Sequence, residues 1–92
     1  MVDQLIRVIQ EHQAKVEVTW DGQHGDLPDP VSRDATEGDI KAWVSEAIRT
    51  GGIPAIRVDA QVDLRNFVIE RFGPAGDRLH HLITVRPKAE FG

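Results

Sequence analysis

Cysteine and tyrosine do not occur in this sequence of 92 residues, methionine occurs once, and the aromatic side chains are two Trp and three Phe. Without cysteine there are no disulfides, thiolate metal ligands or thiol nucleophiles, so an apolar core alone must hold the fold. No apolar stretch approaches the roughly twenty residues of a membrane-spanning helix. The opening residues Met1-Val2-Asp3-Gln4-Leu5 lack the basic segment, apolar stretch and small-residue cleavage site of a secretory signal, and the expected location is cytoplasmic. A chain this short has room for one core. Residues 1–86 are expected to form a single domain and residues 87–92 a C-terminal tail.

Charge is plentiful but uneven. The net charge is −4, from 11 Lys and Arg against 15 Asp and Glu. Residues 1–46 carry four basic and ten acidic side chains, whereas residues 47–92 carry seven and five. Such a balance keeps a protein in solution and can orient its approach to a charged partner.

One element stands out by periodicity. Ile40, Trp43, Val44, Ala47 and Ile48 recur at the i, i+3, i+4, i+7, i+8 spacing of a single apolar helical stripe. Thr36 suits the N-cap, with Asp39 three positions on to complement the positive end of the dipole. Gly51-Gly52 and Pro54 stop the helix, which is predicted over 37–50. Ahead of it, Val16, Val18 and Trp20 alternate with Glu17 and Thr19, predicting a strand over 15–20 that ends at Asp21-Gly22. The segment 4–10 fits a strand or a helix. Residues 21–35, broken by two glycines and two prolines, are expected to be mostly loop, and acidic.

The third quarter is in conflict. Leu64, Phe67, Val68 and Phe72 have helical spacing, with Asp63 as a cap and Gly73-Pro74 as a stop, which favours a short helix over 63–72. Phe67-Val68-Ile69, however, has high β propensity, and Gly73-Pro74-Ala75-Gly76-Asp77 would serve as a hairpin loop. A last strand places Leu79, His81, Ile83 and Val85 on one face and ends before Pro87. The expected fold class is α+β, a two-layer domain in which a mixed sheet of three to four strands packs on the central helix. With 64–72 extended, hairpin, helix and hairpin follow in the element order of β-grasp domains.

Candidate chemistry is sparse. Asp21, His24, Asp26 and Asp29 gather oxygen donors and one imidazole within the loop and form the best metal candidate, although their spacing does not follow the calcium-loop pattern. His80 and His81 are neighbours on a strand, point to opposite faces and so cannot share one metal; His81 is expected to be partly buried and bonded to a neighbour. Ser32 and Ser45 lack a nucleophile elbow. Gly51-Gly52 follows a helix instead of leading into one, which suits a cap and not a phosphate. Arg65, Arg71, Arg78, Arg86 and Lys88 form only a basic scatter, and net acidity opposes the counterion release that drives nucleic-acid binding.

The tail remains. Phe91 is an apolar side chain beyond the last strand, with Arg86 and Lys88 before it, and it can dock on this domain or on a partner. The final Gly92 is similar to the ends of ubiquitin-like modifiers, though the paired glycines of many such tails are absent. The expected function is a noncatalytic interaction module that presents the acidic loop, a sheet edge and the tail residues Arg86, Lys88, Phe91 and Gly92 to another protein. The alternatives are a ubiquitin-like carrier using Gly92 and a metal-binding domain or metal-dependent enzyme using the 21–29 loop. No cofactor or membrane is expected, and an exposed edge strand could pair two copies.

Overall fold

Alternation of Ala14, Val16 and Val18 with Lys15, Glu17 and Thr19 builds β1 (Gln13–Trp20), on which the sheet is assembled in the computed structural model, which describes residues 9–88. The strand starts earlier than the expected 15–20 because Gln13 and Ala14 pair with Ser32 and Val31 of a two-residue β3 (Val31–Ser32). Asp21 and Gly22 have φ of 53° and 76°, the two positive values that a type I′ hairpin turn requires. The chain therefore folds straight back into β2 (Gln23–Asp26). The expectation of mostly loop over 21–35 is thereby corrected at two short strands, β2 and β3. The tight Asp-Gly turn outweighs the weak β propensity of Gln23-His24-Gly25-Asp26, and Gly25 is needed there, since a Cβ would lie 2.5 Å from Ile53 Cγ2.

The helix α1 (Glu37–Thr50) follows as expected. Thr36 Oγ1 accepts the Asp39 N–H at 3.0 Å, and Gly51 takes the left-handed conformation that ends the helix. Its buried stripe is Ile40, Val44 and Ile48, each fully enclosed. Trp43 does not join them and is 44% exposed. Successive helical residues are about 100° apart, so a stripe centred near Val44 leaves Trp43 at its margin.

Residues 51–66 cross back without regular structure, yet they supply Ile53, Ile56 and Leu64 to the core. The chain then enters β4 (Phe67–Phe72) and returns as β5 (His81–Pro87). The short helix over 63–72 does not form. Tertiary pairing decides the conflict: extended backbone lets β4 pair antiparallel with β5 from Phe67↔Pro87 to Phe72↔Leu82 while Phe67 and Ile69 reach the core. Leu79 precedes β5 and is 88% exposed, against its expected place on the strand's inner face. Pro87 is accommodated in β5 because its partner Phe67 gives its N–H to Leu64 O.

The sheet order is β2-β1-β5-β4, with β3 also on β1. This makes five strands instead of three or four. β1 and β5 run parallel at the centre and the other pairs are antiparallel. Val16 and Val18 of β1 and Ile83 and Val85 of β5 meet Ile40, Val44 and Ile48 of α1 in one core, so the fold is a small α+β domain with a mixed sheet and one helix. No helix among the described residues is long and apolar enough to cross a membrane. The segment 4–10 lies largely outside the described residues, and only Lys88 of the tail after β5 lies within them.

Burial separates two residues that the sequence pattern treats alike. Ile40→Ala should cost about 2–5 kcal/mol, as core truncations do, while Trp43→Ala should stay within about 1 kcal/mol, as exposed sites do. Urea unfolding of both variants checks this, and equal losses would contradict the assigned stripe.

Candidate functional site

Strand alternation divides the sheet's side chains between two faces. The inner face meets α1. The register places Lys15, Glu17 and Thr19 of β1, His24 and Asp26 of β2, Leu82, Thr84 and Arg86 of β5, and Val68, Glu70 and Phe72 of β4 on the opposite face. Among the described residues no helix or strand lies over that face.

Its middle is a set of satisfied charges. Lys15 Nζ stands 3.3 Å from Asp26 Oδ2 and 3.9 Å from Glu17 Oε2. Arg86 donates from Nε to Glu70 Oε1 at 3.0 Å and from Nη2 to Glu70 Oε2 at 2.8 Å, and Thr84 Oγ1 adds a bond to Oε1 at 3.2 Å. Hydrogen bonds from Arg86 hold the Glu70 carboxyl below its ordinary range and raise the guanidinium in turn. Thr19 Oγ1 and His24 Nδ1 are 3.0 Å apart.

One corner is apolar. Phe72, 41% exposed, ends β4 opposite Leu82, and Leu79 stands clear of the domain just before β5. The Arg78 guanidinium lies 5.8 Å from the Phe72 ring centroid, within cation–π range, and Nη2 donates to Gly73 O at 2.7 Å. Where β2 runs into the following loop, a hollow of about 430 Å³ is lined by Ile9, Leu27, Pro28, Pro30, Lys15 and His80 among others.

The candidates from sequence fall into place as follows. Asp21 is consumed by the hairpin turn, His24 is bonded to Thr19 and Asp26 faces Lys15. Among the described residues no three His, Asp or Glu side chains converge to hold a metal ion. A strand at 23–26 is the reason: it spreads donors that a loop could have gathered. Asp29 is exposed. Arg86 is committed to Glu70, Lys88 is exposed, and Phe91 and Gly92 lie outside the described residues. Arg65 is engaged by Asp63, and Arg71 donates to Arg33 O and Ala35 O, so the arginines of the basic scatter have partners within the domain.

His80 lines the hollow, whereas His81 joins a separate network. Arg33 Nη1 donates both to Glu11 Oε2 at 2.9 Å and to His81 Nε2 at 2.8 Å. An imidazole that accepts at Nε2 carries its proton on Nδ1. Together with the Arg71 bonds to the 33–35 backbone, this network ties the β3 segment to β4 and β5, so His81 is bonded as its apolar surroundings implied. The apolar corner had a signal in the alternation of Val68, Glu70 and Phe72, masked by their competing helical spacing.

No protein-family model, no curated protein and no solved structure matches the chain.

The Glu70 pairing has a pH signature. A depressed folded-state value means that its contribution is present above the ordinary glutamate range of about 4.3 and is lost as pH falls through the folded value. Acidification from pH 6 toward about 2.5 should lower the melting temperature of the wild type more than that of Glu70→Gln, in which this ionisation is gone. Thermal melts across that range check it; equal falls in the two proteins would show that the fork makes no difference.

Proposed function

We propose that the protein is a noncatalytic interaction module whose outer sheet face, which no helix or strand covers among the described residues, receives another protein at the Phe72/Leu82 corner. Large apolar side chains gathered on one exposed surface mark interaction sites more often than isolated ones do. The observation that carries this reading is Phe72, which remains 41% exposed opposite Leu82 on the outer face although the same domain buries Ile40, Ile48, Ile53 and Ile83 almost completely. The ion pairs beside the corner form a polar rim, and such rims contribute to orientation and specificity more than to affinity. Lys88, exposed at the other end of β5, begins the tail, which this reading takes as a second contact.

The test is affinity capture from the native cell followed by mass spectrometry, using the wild type, Phe72→Ser/Leu82→Ser and a chain ended at Pro87. Loss of the same specific protein with the face variant supports the corner, and loss with the shortened chain assigns the contact to the tail. Identical capture by all three contradicts the reading. Circular dichroism of each variant separates lost binding from lost folding.

A second reading is favoured by the chain path. β5 is flanked by β1 and β4, so the tail leaves from the middle of the sheet, and the order β2-β1-β5-β4 with parallel central strands resembles the β-grasp arrangement. In this reading the protein is a carrier or modifier. The Gly92 carboxylate attacks the α-phosphate of ATP and pyrophosphate leaves; a nucleophile then takes the acyl group from the resulting adenylate and AMP leaves. Incubation with ATP and cell extract should then yield a mass adduct at Gly92 that one added residue abolishes. An unmodified chain under the same conditions counts against it.

A further inference from the structure

Among the described residues the sheet has two outer edges, one formed by β2 and β3 and one by β4, and only the first is protected. β2 has four residues and runs directly into Leu27, Pro28, Asp29 and Pro30; short edges and prolines are the usual devices against strand pairing. β4 has six residues, Phe67-Val68-Ile69-Glu70-Arg71-Phe72, without proline or glycine, and among the described residues pairs on one side only.

Its free hydrogen-bonding groups can be identified. Antiparallel partners alternate between pairs that exchange both backbone bonds and pairs that exchange none. Pro87 has no N–H, and Phe67, opposite it, gives its N–H to Leu64 O at 3.0 Å. The exchanging pairs are therefore Val68↔Arg86, Glu70↔Thr84 and Phe72↔Leu82. The N–H and C=O of Ile69 and Arg71 point out of the sheet, ready for another strand.

We infer that this strand is β4 of a second copy, joined antiparallel about a two-fold axis with Ile69 opposite Ile69. Charge selects that register. The two registers that overlap β4 most fully are centred on Ile69 and on Glu70. Centring on Glu70 sets two carboxylates face to face, which is unfavourable. Centring on Ile69 sets Phe67 against Arg71 and Val68 against Glu70, with no like charges directly opposed. It also sets the outward N–H and C=O of Ile69 against those of Ile69 in the other copy and the Arg71 N–H against Phe67 O, and each Glu70 keeps its own Arg86 as counterion. The result is one sheet continuous through both copies. This rests on the reading of the protein as an interaction module and names one of its partners.

The absence of native cysteine makes the register directly measurable. In the inferred pairing Ile69 faces Ile69 of the other copy at a position with exchanged backbone bonds, where Cα atoms are about 5.5 Å apart, within disulfide reach. Under mild oxidation full-length Ile69→Cys, which keeps Glu70, should cross-link to itself, and full-length Val68→Cys should do so at least about tenfold more slowly. Sedimentation of the wild type should show twice the chain mass as concentration rises. A monomer at every concentration, equal cross-linking of the two variants, or preferential Val68→Cys self-linking would each overturn the inference. A monomer that still loses its captured protein on Phe72→Ser/Leu82→Ser substitution would leave the module reading standing and remove only the second copy.

Discussion

Parallel pairing of β1 with β5 is the contact on which the rest of the domain depends. Residues 14–18 meet residues 81–85, so the two ends of the described chain form the centre of the sheet. Val16, Val18, Ile83 and Val85 are almost fully buried there and make the floor on which α1 sets Ile40, Val44 and Ile48. The backbone groups of both strands are satisfied only when these distant segments come together, which makes the sheet a non-local structure whose closure orders much of the intervening chain.

That constraint explains how the side chains are used. One helix covers one face, and the irregular 51–66 crossing reinforces the same side with Ile53, Ile56 and Leu64. The other face is left to paired charges and an apolar corner. Lys15 with Asp26 and Arg86 with Glu70 make the middle of that face polar without leaving those charges unpaired. Surface pairs of this kind add little stability, so their larger effect is on what the face can approach. Open face and outer strand thus share one structural origin.

Much of this architecture was legible because local signals agreed. The stripe of Ile40, Val44 and Ile48 between Thr36 and Gly51 named the helix and both its ends, and the alternation of Val16 and Val18 named the central strand. Where local signals disagreed, distance in sequence hid the answer. Leu64, Phe67, Val68 and Phe72 carry helical spacing, and only the partner strand at 81–87 makes extended backbone the better choice. The Asp21-Gly22 turn was visible, but β2 behind it has weak propensity and is held by β1 and by Ile53 packing over Gly25. Trp43 looked like core because periodicity does not measure how wide the buried stripe is. Of the site, Arg86 was noticed for its charge, while Glu70, its partner sixteen positions earlier, had no local signature.

Amide hydrogen exchange on the full chain tests the central pairing most directly, because amides released only when the whole fold opens exchange slowest. Those of β1 and β5 should be the slowest and should slow together, with α1 and the outer strands β2 and β4 opening sooner. A β5 that exchanges as fast as the 51–66 crossing, while β1 stays protected, would contradict the account, because the sheet would then have no C-terminal strand at its centre.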